Sequence, residues 1–206
     1  MLNISEIYGN LDADTQMVFK HFQEPSNSLI LEVGANEEFI GNILTENGYR
    51  VLGVDLREQV GVHFHKYIRL EDDFVSSAPY FHPNFDSAIS TSAIEHFGLV
   101  VYGQQILVKD YDIQAMDAIY YLLKKGGSCY ITIPYGREFI DNEDWRVYDK
   151  YSLINRIIRL FNVEKKIFFL SGGCGCPDDN GIVKEVDADN YSGRPPHVTV
   201  FLKLRK

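Results

Sequence analysis

Features of an exported or membrane-bound chain are scarce in these 206 residues. There are three cysteines, Cys129, Cys174 and Cys176. That is too few, and too unevenly placed, for a disulfide framework, and the odd count fits a reducing compartment. No stretch approaches the run of about 18 apolar residues that a bilayer-spanning helix needs. The opening MLNISEIYGNLDAD carries neither a basic leader nor an apolar core, so a secretory signal is not expected and a cytoplasmic location is. Basic residues are outnumbered, 20 Lys and Arg against 29 Asp and Glu, for a net charge of -9. Binding to a phosphate backbone draws on clustered cations, and those here are scattered. A small-molecule substrate is therefore expected, with no nucleic-acid or membrane partner.

Metal ligation has little to stand on either. Cys174-Gly175-Cys176 leaves one residue between its cysteines and has no second pair, whereas a structural zinc site needs four ligands. His63 and His65 lack a carboxylate at a fitting spacing, and Asp178-Asp179-Asn180-Gly181 lacks the later positions of a calcium loop. No metal is expected.

What the sequence does contain is alternation of short β-branched runs with helical periods. The apolar content, 45%, fits one sizeable core but not two, so a single domain over 1–206 is expected, with its core from about residue 28 onward. Ser28–Val33 reads as a strand running into Gly34. Phe39, Ile40, Ile43 and Leu44 then recur at helical spacing up to Asn47-Gly48, and Arg50–Val54 gives a second strand, completing a βαβ unit. Further strands are expected at Lys66–Leu70, Phe85–Ser90, Ser128–Ile133, Lys166–Leu170 and His197–Leu204. One helix is expected from Asp112 to Leu123, closed by Lys124-Lys125-Gly126-Gly127, and another beyond Asp149 or Ser152 carrying Leu153, Ile154, Ile157, Ile158 and Phe161. The fold class is therefore α/β: a Rossmann-like, doubly wound, seven-stranded sheet, mostly parallel, with an antiparallel C-terminal edge strand. The long connection 171–196, rich in Gly, Pro, Asp and Asn, is an insertion of the kind that forms lids or binding elements.

In such sheets ligands sit beyond the C-terminal strand ends, and the first strand-to-helix turn faces them. That turn holds Glu32, Gly34, Ala35 and Asn36. Gly34 allows close backbone approach, Ala35 keeps it open, and a carboxylate at Glu32 can receive a cationic group. Asp55, ending the second strand, is placed to accept hydrogens from a ribose diol.

These segments resemble a known family. ILEVGANEEFIGNILTENGYRVLGVDL resembles the first two cofactor motifs of class I S-adenosylmethionine-dependent methyltransferases. FDSAISTSAIEHFGL resembles their fourth-strand motif with its Glu-His pair, and LLKKGGSCYITIPYG the helix, glycine and strand signature that follows. IEHFGLVVYG, DIQAMDAI and DWRVYDKYSL are similar to a bacterial subgroup acting on small molecules; the likeness spans roughly residues 28 to 170. The resemblance implies S-adenosyl-L-methionine as cofactor. It implies that Gly34, Ala35 and Asn36 meet its methionine part, Asp55 and Leu56 its ribose, and Asp73 and Phe74 its adenine, with Ser92 and Ala93 flooring the site near the sulfonium. The family pattern has glycines where this sequence has Asn36 and Glu38.

Methyl transfer needs alignment first, and a hydroxyl acceptor also needs a base. His96 follows the fourth strand on the ligand face and is expected to take the acceptor's proton, with Glu95 orienting neighbouring groups. Tyr102, Tyr135, Arg146 and Tyr148 can flank the acceptor, or simply pack against the sheet. The expected function is O-methylation of a small polar molecule such as a sugar or nucleotide-linked sugar. The alternative is a non-catalytic or repurposed member with weakened cofactor binding. A nicotinamide oxidoreductase is disfavoured because the G-x-G-x-x-G spacing is missing.

Overall fold

A computed structural model describes residues 11–35, 40–58, 67–104, 107–142, 144–171, 181–191 and 197–206. Asn36, Glu38, His63, His65, Cys174, Cys176 and the Asp178-to-Gly181 stretch apart from Gly181 itself lie outside the described residues.

The centre of the fold is a parallel stack that follows from apolar runs too short to be anything but buried strands. β1 (Leu29–Val33) lies between β2 (Arg50–Asp55) and β4 (Phe85–Thr91), parallel to both, and β3 (Ile68–Glu71) extends the sheet beyond β2. The start of β1 is pinned by Asp86, which accepts from the Leu29 amide at 2.7 Å and from Lys124 Nζ at 2.7 Å. β5 (Leu123–Tyr135) pairs in parallel with β4.

Among the described residues the main sheet has eight strands where seven were expected: in order β3, β2, β1, β4, β5, then β10 (His197–Arg205), β8 (Asn162–Ser171) and β9 (Ile182–Val183). The additional strand, β9 (Ile182–Val183), comes from inside the 171–196 connection. It pairs antiparallel with Phe168 and Phe169 of β8 (Asn162–Ser171) and is followed by a short helix, α6 (Glu185–Ala188). A second correction concerns the last strand. β10 (His197–Arg205) is not at the edge but sits between β5 and β8, antiparallel to each. Val198, Val200, Leu202 and Leu204 are buried on one side and Phe201 on the other. A strand buried on both faces, here with Thr199 beside Phe201 on the second, belongs in a sheet's interior, because an edge would leave its backbone in water. β6 (Ile140–Asp141) and β7 (Arg146–Val147) form a separate two-stranded ribbon.

Helices cover both faces. On one side lie α1 (Ala13–His21) and α2 (Ile40–Glu46), contributing Met17, Val18 and Phe19 with Ile40, Ile43 and Leu44. α1 was not apparent from apolar periodicity, since its buried residues include Thr15 and Gln16; its start is marked instead by Asp12, whose side chain caps the Thr15 amide at 2.8 Å. The other face carries α3 (Phe74–Ser77) and α4 (Tyr111–Leu122), with Ala115, Met116, Ile119 and Leu122 in its core. α5 (Lys150–Ser152) completes that face and runs into a π-helical turn, Leu153–Ile157. Asp149 is the cap of α5, and Ser152 closes the reciprocal half of a capping box.

α4 is fixed to that turn by a buried ion pair. Asp112, fully buried, accepts from Arg156 Nε at 2.8 Å and Nη2 at 2.6 Å, and from the Tyr148 hydroxyl at 2.9 Å. Tyr148 is therefore a structural donor inside the core. Removing one partner of a buried pair leaves an uncompensated charge, so Arg156→Ala is expected to cost about 3 kcal/mol in urea denaturation. Tyr148→Phe, which removes a single donor to a charged group, should cost about 1.5 kcal/mol.

Candidate cofactor and acceptor site

The C-terminal ends of the parallel strands converge on a cavity of about 300 Å³, at the lower end for a small-molecule pocket. It is formed by Gly34 after β1, Asp55 at the end of β2 with Leu56 and Arg57 after it, Asp72, Asp73 and Phe74 after β3, Ser92, Ala93 and His96 after β4, and Tyr102 with Gln104 beyond. Most residues expected from the sequence to contact the cofactor thus fall on one wall.

Gly34 has φ +82°, and its amide donates to Val54 O at 2.9 Å, hooking the turn onto β2. A Cβ added there would lie 2.3 Å from the Ala93 Cβ. Both the backbone conformation and the contact therefore require glycine, and the ends of β1 and β4 meet without side-chain bulk.

Asp55 is nearly buried. Its carboxylate accepts from the Arg57 amide at 2.8 Å and Arg57 Nε at 3.2 Å, and lies 3.8 Å from Arg69 Nη2. Arg69, which the sequence reading missed, ties the loops together: Nε donates to Ala35 O at 2.7 Å and Nη2 to Arg57 O. Only its length lets it reach the neighbouring loops, and no motif announces that. Asp73 caps the Ser76 amide at 2.8 Å and accepts from the Tyr111 hydroxyl at 2.6 Å. Phe74 is buried edge-on to Phe97, with centroids 6.3 Å apart.

On the β4 side, Ser92 has φ +40°, and its hydroxyl donates to the Asp14 carboxylate of α1. His96 Nδ1 is 2.6 Å from Asp144 O. A carbonyl can only accept, so Nδ1 carries the proton and Nε2 keeps its lone pair. Burial lowers the His96 pKa, with Arg57 and Arg146 adding to the effect and the Asp144 carbonyl opposing it. The ring stands edge-on to Tyr102 at 5.0 Å, and the Arg57 guanidinium covers Tyr102 at 4.3 Å.

Other candidates lie away from the cavity wall. Glu32 is buried beneath Tyr67, whose hydroxyl donates to it at 2.6 Å; burial raises its carboxyl to about 7, against the hydrogen bonds from Tyr67 and the Gly41 amide. Ala35 is buried in the α1 and α2 core. Glu95 is 1% exposed and pushed well above the carboxylate range by burial, so only His96 of the Glu-His pair faces the cavity. Arg146 is also 1% exposed. Its Nη1 donates to Phe97 O at 2.7 Å and Glu95 O at 3.4 Å, while Nε is 2.9 Å from Asp141, so it clamps the backbone on either side of His96. Tyr135 donates its hydroxyl to Asp189 and packs on Phe168 at 4.7 Å. Tyr135, Arg146 and Tyr148, expected beside the acceptor, serve here as packing and clamping residues. Asn36 falls outside the described residues. Among the described residues, no group of three or more His, Cys, Asp and Glu is arranged to hold a metal, and no helix is long and apolar enough to cross a membrane.

The family described as "Caenorhabditis protein of unknown function, DUF268" matches residues 30–162, and the chain belongs to it. No curated protein matches the chain. Among solved structures, the chain is similar to the 1,6-didemethyltoxoflavin-N1-methyltransferase of Burkholderia thailandensis, solved with bound 1,6-didemethyltoxoflavin and S-adenosylhomocysteine: 15% identity, TM-score 0.61, covering 94% of this chain and 76% of that one. It is also similar to an S-adenosylmethionine-dependent methyltransferase of Mesorhizobium loti, at 16% identity and TM-score 0.61, covering 94% and 98%. The cyclase SpnF aligns at 15% identity and TM-score 0.64, covering 93% and 80%. The fold is the class I methyltransferase fold.

Gly34→Ala is expected to destabilise the chain by about 1–3 kcal/mol, from the left-handed backbone together with the Ala93 contact. Adding Ala93→Gly should restore part of that loss but not all of it. Thermal unfolding of the two single variants and the double variant checks this.

Proposed function

We propose that the chain is an S-adenosylmethionine-dependent methyltransferase that methylates a hydroxyl of a small polar molecule, such as a sugar, a nucleotide-linked sugar or a related metabolite. The observation that carries this reading is the His96 tautomer. With Nδ1 donating to the Asp144 carbonyl and its pKa lowered, the ring is neutral at pH 7 and Nε2 is free to accept a proton.

The cavity suits the cofactor on its own chemistry. Gly34 lets the turn after β1 pack directly on Ala93 and border the cavity with bare backbone, and Asp55 offers a carboxylate to a ribose diol once Arg57 yields part of it. Phe74 presents an apolar wall for the adenine, and Asp73 an acceptor beside it. When bound, the cofactor supplies an electrophilic methyl group on a sulfonium. The chain's own work is alignment and proton handling: Ser92 and Ala93 bound the floor, His96 Nε2 takes the acceptor's proton, and Tyr102 and Arg57 shield the ring from solvent. Methylation of a cytoplasmic metabolite fits the scattered basic residues.

A second reading, a repurposed fold, has its own support. Arg57 already occupies the Asp55 carboxylate, and the family glycines are replaced at Asn36 and Glu38. A cyclase shares the architecture, and fold does not fix function.

Calorimetry with S-adenosylhomocysteine separates the two: micromolar binding is expected, and no heat removes the enzyme reading. In a screen of hydroxylated metabolites, His96→Ala should lower kcat by about 10²–10⁴-fold while leaving cofactor affinity unchanged. Wild-type kcat should fall below a pH lying under the usual histidine value of about 6.5, because protonation removes the Nε2 acceptor, and that acid limb should vanish in the variant.

A further inference from the structure

The ring of His96 stands on a 3-10 turn, Ile94–His96, and a neutral imidazole carries its proton on either nitrogen until a neighbour selects one. The selecting neighbour is the Asp144 carbonyl, which lies 48 residues further along the chain, in the loop between β6 and β7.

The ribbon that carries this loop is tied to the sheet. Tyr148, just after β7, bridges to Tyr135 at the end of β5; its amide donates to Pro134 O at 3.0 Å and its carbonyl accepts from the Gly136 amide at 2.9 Å. Asp141 and Arg146 face each other across the ribbon and form an ion pair, and the Arg146 guanidinium reaches the Glu95 and Phe97 carbonyls. Between those two, His96 O accepts from Gln104 Nε2 at 3.1 Å. The main chain that carries the imidazole is therefore held from two sides, and the proton on its ring depends on where the Asp144 carbonyl points.

Asn142 decides that direction. Its Oδ1 accepts from the amides of Asp144 and Trp145, each at 2.9 Å. Both donors are backbone N–H groups, so the atom that meets them is the oxygen. The Trp145 N–H and the Asp144 C=O belong to one planar trans peptide unit and point in opposite directions. Drawing that N–H toward Asn142 turns the C=O away from it, and on that side His96 Nδ1 lies at 2.6 Å. Asn142 itself is exposed and does not line the cavity. Asparagine suits the position because its short side chain closes on the backbone just ahead of it.

We propose that Asn142 is a positioning residue for the base: through the peptide unit between Asp144 and Trp145 it aims a carbonyl at His96 and so keeps the outward ring nitrogen free of a proton. This rests on the reading of His96 as the base of a methyltransferase.

Nitrogen NMR of the full chain tests it at about pH 8, above the usual histidine value of about 6.5, where the shifts of the two ring nitrogens tell which one carries the proton. Comparison with His96→Ala picks this ring out of the six histidines. Wild type should hold the proton on Nδ1 alone. Asn142→Ala frees the peptide unit to turn toward water. It should give a mixture of tautomers and lower kcat, on an acceptor from the metabolite screen, by about tenfold to a hundredfold, the scale on which small misplacements of a catalytic group are felt. Its thermal midpoint and its affinity for S-adenosylhomocysteine should stay at wild-type values, because the lost bonds lie in an exposed loop. Asn142→Asp keeps the accepting oxygen and should restore both the Nδ1 tautomer and kcat at that pH.

A wild-type proton on Nε2, or an Asn142→Ala variant that leaves either the tautomer or kcat unchanged, overturns the positioning role and leaves the methyltransferase reading in place. So do equal losses in Asn142→Asp, or a fall in thermal midpoint or cofactor affinity alongside the loss of kcat. A wild-type chain that binds no S-adenosylhomocysteine, or methylates nothing in the screen, overturns the methyltransferase reading itself, and the positioning role with it.

Discussion

The contact between Gly34 and Ala93 is the constraint around which the site is arranged. Two parallel strands that end side by side normally hold their following turns apart by the width of a side chain. Here that width is absent: a single methyl on Gly34 would meet Ala93 at 2.3 Å. The turns after β1 and β4 therefore close on one another where they border the cavity. Arg69 holds the other side by binding the Ala35 and Arg57 carbonyls and facing Asp55. One missing side chain and one long one thus define the space between four strands, on rigid elements of the kind that give loops a fixed geometry.

Electrostatics divides the site into two ends. Around Asp55 the charge is balanced, because Arg57 and Arg69 both face that carboxylate. Around Ser92 it is not: burial and the charge of Asp14 raise the buried Glu95 carboxyl, and the charge of Arg146 opposes them only in part. An imbalance of this kind costs stability in the free chain and is relieved only by protonation or by a cation arriving from outside. His96 sits at the border between the two ends. Burial and two arginines keep it neutral, while its bond to Asp144 decides which nitrogen faces outward.

How much of this was legible in the sequence depended on whether the signal was periodic. Parallel strands are short, apolar on both faces and bounded by turns, so LILEV, RVLGV and FDSAIS showed themselves, and the residues just past their ends followed from the rule that ligands bind there. β10 was equally apolar, but the lack of a helix before it suggested an edge; the burial of both its faces is what places it inside. α1 escaped notice because its core face mixes Thr15 and Gln16 with Met17 and Phe19, although Asp12 offered a cap signal. Long polar side chains were the least legible. Arg69 and Arg57 act through reach across loops, and Arg146 and Tyr148 have the chemistry of ligand contacts but are spent on backbone carbonyls and on Asp112. Sequence spacing does not reveal which way an arginine turns.

That last point bears on the distance between fold and activity. The same architecture houses methyltransferases and a cyclase at comparable likeness to this chain. What separates such activities is therefore not the sheet but the handful of groups facing the ligand. In this chain those groups include His96, whose Nδ1 is committed to the Asp144 carbonyl, and the carboxylates of Asp55, Asp72 and Asp73. A base is of no use to a protein that only binds the cofactor, because binding alone moves no proton. The His96 ring in this cavity therefore bears on activity more directly than the architecture does.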